Sequence, residues 1–350
     1  MSSKWKTVLL AAVAGTTLLA GCGNNNSEGG DEGSSSENKT IDELSIGFVP
    51  SRTPEEITAA TEPLGDLLKT ALKDQGYEVN KIDISVGTSY EGVGEALSAG
   101  TTDIGFIPGG TYVLYDDGAE VLLTSTREGL SIDSEDPKDW NDNKPTVQEE
   151  GTQVTYYKSL IIAGPSEKGQ ELGKKINDGE ELTWDDLNSA TWSVMGPSSS
   201  SGYIYPYMWL EDNYGKTIND LDNVVKADSY GSSMARLASG QVDIVVGYAD
   251  LRIDNAEPWT SEFGRSEDIF DETNVIGVSP NIYNDTISVS KNSDKMTPEF
   301  KEALQKAFIE LAKTDEGKEV ISIYSHTGYE PAKDSDYDGE RKAQEIVKNQ

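Results

Sequence analysis

The stretch Trp192-Ser193-Val194-Met195-Gly196-Pro197-Ser198-Ser199-Ser200-Ser201-Gly202-Tyr203 joins an apolar run to a polar turn. An aromatic run, Ile204-Tyr205-Pro206-Tyr207-Met208-Trp209-Leu210, follows it. The order predicts a strand, a Ser/Gly turn and a helix. That geometry makes an anion site, because the N–H groups of a first helical turn lack partners and the helix dipole adds partial positive charge there. Four consecutive hydroxyls add donors. A serine run alone also reads as an ordinary loop, so its meaning depends on what flanks it.

The flanks repeat one rhythm. Upstream, Leu44–Val49, Ile82–Val86, Ile104–Ile107 and Val121–Leu123 read as strands. Between them, Thr53-Pro54-Glu55-Glu56 predicts a capped helix start. Ile57, Ala60, Leu64, Leu67, Leu68 and Leu72 carry that helix to Gly76. Tyr90–Ala99 and Gly110–Asp116 read as further helices. The alternation predicts an α/β unit with a largely parallel sheet. Residues 128–155 are acidic and poor in apolar groups, and read as an insertion or long surface loop. Tyr156–Ala163 restarts the rhythm as a strand. It continues through the serine turn, Val224–Ala227, a helix at Ser232–Ser239 and Val242–Val246. Val275–Val278 and Thr286–Val289 read as strands joined through Pro280, followed by helices at 299–313 and 316–324. Two α/β lobes with a returning C-terminus predict a ligand cleft between them.

The N-terminus sets the compartment. Lys4 and Lys6 precede an apolar stretch, Val8–Leu19, and then Leu19-Ala20-Gly21-Cys22. This is the layout of a signal peptide, and its end resembles the bacterial lipobox. That resemblance implies diacylation of Cys22, which would become the first mature residue. Cys22 is the only cysteine, so no disulfide can form within the chain. Residues 23–40 hold almost nothing apolar and read as a flexible tether. Beyond the leader no apolar run is long enough to span a bilayer. The formal net charge is −33, and loss of the leader's two lysines takes it to −35. Such a chain repels nucleic acid, so no nucleic-acid partner is expected.

Several segments together resemble the phosphate/phosphite/phosphonate-binding proteins of ABC importers, the PhnD-like family. They are Gly47-Phe48-Val49-Pro50, Tyr90-Glu91-Gly92-Val93 and Gly100-Thr101-Thr102-Asp103-Ile104-Gly105-Phe106. Tyr157-Lys158-Ser159-Leu160-Ile161, the serine turn and Ser229-Tyr230-Gly231-Ser232-Ser233 follow. Gly240-Gln241-Val242-Asp243 and Gly328-Tyr329-Glu330-Pro331 complete the set. The resemblance covers about residues 44–345 and rests on the order and spacing of motifs that are individually weak. It implies a type II periplasmic-binding fold. The expected divisions are a signal peptide over 1–21, a lipid-anchored tether over 22–42, one lobe from 43–158 with 280–350, and a second lobe over 159–279.

The resemblance also implies roles. The oxyanion falls to Ser199-Ser200-Ser201-Gly202, with serine at 200 where the family has threonine. Tyr90 and Tyr157 match tyrosines that donate to phosphoryl oxygens. Tyr230 stands where many members carry histidine, which keeps a donor and loses an ionisable ring. Asp250, after Gly247-Tyr248-Ala249, matches a carboxylate that faces a ligand ammonium. Neutral hydroxyls and backbone N–H groups suffice for a dianion, each charge-assisted bond contributing about 1–3 kcal/mol. A carboxylate beside the anion is favourable only if the ligand brings a P–OH or an ammonium. Arg52 and Tyr112 also lie beside motif turns. The expected protein is a monomer that needs no cofactor, is lipid-anchored through Cys22 to the extracytoplasmic face of the cell membrane, and delivers a phosphorus oxyanion to an ABC permease.

Other motifs suggest rival chemistries. Asp334-Ser335-Asp336-Tyr337-Asp338-Gly339, with Glu345, has the spacing of an EF-hand calcium loop. Arg341 occupies a position where an apolar residue is usual, and Pro331 spoils an entering helix, so Asp338 reads better as a helix cap. Asp139-Trp140-Asn141-Asp142-Asn143 with Glu150 is a poorer match, because Lys144 replaces the needed glycine. A serine hydrolase lacks a base: His326 is the only histidine and reads as a surface or interface residue. Ser288-Val289-Ser290-Lys291 lies on an apparent strand, and zinc ligands are wanting. The chain is read as a binding protein and not an enzyme. The alternatives are a lipoprotein sensor or adhesin on the same fold, or a binder of another small anion.

Overall fold

The computed structural model describes residues 39–348; the leader, Cys22 and the tether as far as residue 38 lie outside the described residues. In chain order the strands of the N-terminal part are β1 (Lys39–Phe48), β2 (Tyr77–Val86), β3 (Ile104–Ile107), β4 (Ala119–Leu130) and β5 (Gln148–Val154). Then come β6 (Tyr156–Tyr157), β7 (Ser159–Ala163), β8 (Trp192–Val194), β9 (Val224–Lys226), β10 (Ile244–Tyr248) and β11 (Asn274–Val278). The chain finishes through β12 (Ile282–Tyr283), β13 (Thr286–Ser290) and β14 (Gly328–Pro331).

These strands build two large sheets. One runs β2-β1-β3-β13-β4-β14 with β5 added along β4, and the other runs β9-β8-β10-β7-β11. β1 is parallel to β2 and β3, and β8 is parallel to β9 and β10. In each sheet the strand arriving from the other lobe inserts antiparallel: β13 between β3 and β4, β7 between β10 and β11. The two passages between the sheets touch where β6 pairs with β12, Tyr157 opposite Ile282. This is the strand order of a type II periplasmic-binding fold, with a two-stranded hinge.

Apolar periodicity explains the layers. Leu44, Ile46 and Phe48 of β1 and Phe106 of β3 are buried with Leu64, Leu68, Phe300, Leu304 and Phe308 from flanking helices. In the other lobe Ile161, Trp192, Val194 and Ile244 pack with Leu187 and Leu210. β7 is buried at every position, as its continuous apolar run requires.

Local expectations need correction at several points. The helix read over 54–75 is two helices, Pro54–Thr61 and Leu64–Asp74. Pro63 divides them, since it has no N–H and its ring clashes with the preceding turn; the capping box of Thr53 and Glu56 is present. β1 starts at Lys39, inside the expected tether, because β2 offers a parallel ladder to residues whose own side chains stay exposed. Residues 128–155 are not one surface loop. β4 runs to Leu130, β5 pairs back on it, and the helix Pro137–Asp142 buries Trp140. Asn141 then accepts from the N–H of Val275 at 2.8 Å and donates to its carbonyl at 2.9 Å, which docks the insertion on the edge of the second sheet. The strand read over 156–163 breaks at Lys158, where the chain leaves the hinge for the second sheet.

Candidate ligand-binding site

A cavity of about 40 Å³ lies between the two sheets, beside the hinge. Its wall from the second lobe is the serine turn. The chain enters through β8 and folds into one wide, π-helical turn over Ser200–Ile204 before the helix Tyr205–Tyr214. Ser199 caps that turn: its Oγ accepts from the N–H of Gly202 at 3.3 Å. Gly202 is required by close packing, since a Cβ there would stand 2.4 Å from Cγ of Met195. Its N–H is therefore spent within the turn, and its place is to shape the loop rather than to offer a free donor.

The serines divide by direction. Ser199 Oγ and Ser201 Oγ lie 3.2 and 2.9 Å from the Tyr230 hydroxyl, and all three line the cavity. Tyr230 opens a helix capped by Ser229, which fixes its ring toward the turn. Ser200 also borders the cavity but is bonded to the first lobe: its Oγ accepts from the N–H of Gly110 at 3.0 Å and donates to Glu340 Oε2 at 3.2 Å. Glu340 belongs to the C-terminal helix Asp338–Lys348, and burial pushes its carboxyl up to about 8.

From the first lobe and the hinge come Tyr90 and Tyr157. Tyr90 is the first residue of a helix capped by Ser89, whose Oγ accepts from Gly92 N–H at 3.0 Å. Burial raises both phenols well above the usual tyrosine range, and it lifts Tyr230 to about 12. All three remain neutral donors at any ordinary pH. Tyr248 and Tyr324 line the cavity as well, with their hydroxyls donated to Asp254 at 2.9 Å and to the Val49 carbonyl at 2.6 Å.

Charged groups that sequence reading did not place here complete the wall: Arg127, Asp285 and His326. Arg127 stacks over the Tyr157 ring at 4.4 Å and is buried. Asp250 and Asp285 approach it at 3.4 and 3.7 Å. Burial lowers the arginine's proton affinity, but these carboxylates outweigh it and the net shift is upward. His326 is buried, not at the surface; its Nε2 lies 3.6 Å from Asp285, and burial moves its pKa down, favouring the neutral ring. Arg127 lies at the polar end of β4, beyond the apolar run that marked that strand. Asp285 sits between two short strands and reads as a turn residue.

Asp250 does not border this cavity. Its carboxylate lies behind Arg127, takes a bond from Gln148 Nε2 at 3.0 Å, and faces a neighbouring cavity of about 230 Å³ lined by the insertion. The insertion, read as a loop, supplies the strand that carries Gln148, and the resemblance that put Asp250 against the ligand is not matched by the lining of this cavity. Arg52 lines the cleft but is paired with Asp254 at 2.7 Å. Tyr112 is buried away from it and donates to Asp334 at 2.6 Å. The acidic run at 334–345 converges on Arg341, which contacts Asp116, Asp334 and Asp338, while Asp338 begins the last helix.

Comparison with known proteins agrees with this architecture. The structure is similar to a binding-protein component of an ABC phosphonate transporter from Pseudomonas aeruginosa (TM-score 0.62, 16% identity, covering 88% of this chain and 87% of that one). It is similar to PhnD1 from Prochlorococcus marinus in complex with methylphosphonate (TM-score 0.63, 13% identity, 87% and 98% covered). A Xanthomonas citri protein bound to ATP also shares the fold (TM-score 0.59, 14% identity, 88% and 98% covered). No curated protein sequence matches the chain. Among the described residues no helix is long and apolar enough to cross a membrane. Residues 46–337 match the family described as "ABC transporter, phosphonate, periplasmic substrate-binding protein". The chain belongs to this family of periplasmic substrate-binding proteins of phosphonate ABC transporters, which bind substrates for transport and are not enzymes.

Proposed function

We propose that the protein captures a small phosphorus oxyanion in the cleft and delivers it to an ABC permease. The observation that carries this reading is the cluster of Ser199, Ser201 and Tyr230 hydroxyls facing the same cavity as Tyr90, Tyr157 and the buried Arg127. Neutral donors on one side and a guanidinium on the other suit a tetrahedral oxyanion. Size narrows the class. A cavity of about 40 Å³ has room for roughly three waters at about 10–15 Å³ each. That favours the small members of the class: phosphite, phosphate and methylphosphonate. The bodies that close on the ligand are residues 43–158 with 280–350, and residues 159–279. Lipidation of Cys22 would hold the monomer at the membrane's outer face, within reach of its permease.

A thermal-shift series over phosphite, phosphate, methylphosphonate and 2-aminoethylphosphonate tests this. Stabilisation by at least one of the three small ligands is expected, because a ligand that binds only the native state raises the unfolding temperature. No shift with any of them would overturn the reading. Membrane fractionation of the Cys22→Ser protein tests the anchor: release into the soluble fraction is expected, and retention at the membrane would contradict it.

A further inference from the structure

Arg127 is an unusual cation for a buried site. Among the described residues its one hydrogen bond is the 3.4 Å contact from Nη1 to Asp250, and Nε has no partner. A guanidinium carries five donors in a fixed fork, and leaving them unmet in the interior is unfavourable. The cavity lies in front of it. On the same wall stands Asp285, 3.7 Å from Arg127 and 3.6 Å from His326. Its side chain keeps 22% exposure although it lies deep in the protein, because its open face looks into the cavity. An oxyanion placed on Arg127 and the serine turn therefore meets a carboxylate whose only near donors, His326 at 3.6 Å and Arg127 at 3.7 Å, are held at long range among the described residues.

We infer that Asp285 reads the proton of the ligand: the cleft takes the singly protonated oxyanion, whose P–OH donates to Asp285 while its ionised oxygens face Arg127, Ser199, Ser201 and Tyr230. The inference rests on the oxyanion reading above and adds a selection rule to it. An ionised carboxylate is an acceptor only, so a P–OH converts a repulsion into a charge-assisted bond. Asp285 is ionised: burial pushes its pKa up, but His326 and Arg127 outweigh that and leave it below the usual aspartate range. The other titratable groups around it do not substitute for the ligand's proton. His326 is shifted toward its neutral form, and the phenols of Tyr90, Tyr157 and Tyr230 stay protonated. The same holds for Tyr324, Tyr329 and Tyr337, whose burial raises them too. Glu340, up at about 8, titrates in the working range, and it is bonded to Ser200.

The test is calorimetry with phosphite and with methylphosphonate between pH 5.5 and 9, with sulfate as a tetrahedral dianion that carries no proton. Wild-type affinity should fall as each ligand loses its second proton, approaching about tenfold per pH unit. The break should move with the ligand's own second ionisation, and Glu340→Gln should leave it in place. Sulfate should bind at least about tenfold more weakly than phosphite, the loss of one charge-assisted bond. Asp285→Asn should flatten the profile and gain sulfate, since an amide can donate. A profile flat with pH, tighter binding of the dianion, or a break at one pH for both ligands would overturn the inference while leaving the oxyanion reading intact. Absence of binding by phosphite, methylphosphonate and phosphate at every pH would overturn both. If Asp285→Asn does not fold, the wild-type profiles and the sulfate comparison decide alone.

Discussion

Arg127 joins three parts of the molecule that sequence reading kept apart. It stands at the end of β4, under the hinge tyrosine Tyr157, between Asp285 of the first lobe's return and Asp250 of the second lobe. Removing one member of such a buried group leaves uncompensated charge. Arg127→Leu should destabilise the protein by about 3–5 kcal/mol and abolish oxyanion binding, as read by urea unfolding and calorimetry. Adding Asp250→Asn should recover part of the stability and none of the binding, because Asp250 borders a different cavity. Equal loss of stability in the single and double variants would contradict this. Ser201 and Ser200 make a second contrast. Ser201 shares its hydroxyl with Tyr230, whereas Ser200 is held by Gly110 and Glu340. Ser201→Ala should weaken ligand binding tenfold or more, the value of one charge-assisted bond.

The C-terminal helix Asp338–Lys348 is the element that ties the serine turn to the first lobe. Glu340 receives Ser200's hydroxyl, and Gln344 donates to the carbonyls of Gly110 and Pro197 at 3.3 and 3.5 Å. Burial raises Glu340 to about 8, so the folded protein retains a proton that the unfolded chain has already lost. The unfolded value is near 4.3. Glu340's contribution is therefore complete below that pH and is lost as pH rises toward 8, at roughly 1.4 kcal/mol per pH unit. Glu340→Gln should remove this slope and make the protein relatively more stable at pH 8 and above, as measured by denaturation across that range. An unchanged slope would place the titration elsewhere. Much at this scale was legible beforehand. The cap at Thr53, the alternation of strands and helices, and the strand–turn–helix of 192–210 all depend on local patterns. What was not legible depends on distant partners. β5 is polar up to its last residue, Val154, and is a strand because β4 extends far enough to pair with it. The break at Lys158 follows from the hinge, which no local period encodes. Arg127, Asp285 and His326 each sit in a polar stretch that looks solvent-facing until three separate segments fold together.

At the scale of the whole molecule, the lobes meet through a few close approaches that require closure. Gly110 is the tightest: a Cβ there would stand 2.5 Å from Cδ1 of Ile204 and 2.9 Å from the Ser198 carbonyl, both in the other lobe. Thr111 adds a bond to that same carbonyl at 3.2 Å. Gly110→Val should leave each lobe folded, since the nearest neighbours of an added Cβ belong to the opposite lobe, yet keep the cleft from closing. Small-angle scattering should then show no compaction on adding methylphosphonate, where the wild type compacts. Hinge closure of this kind links ligand contacts in both lobes to one movement, and Ser199, Ser201 and Tyr230 can grip a ligand held by Arg127 only when the lobes meet. The most direct measurement is a calorimetric titration of the wild type and Ser201→Ala with phosphite and methylphosphonate at pH 6. The account predicts saturable one-to-one binding of at least one of them to the wild type, weakened tenfold or more by the substitution. Equal affinity in both proteins, or no heat with either ligand, would contradict it.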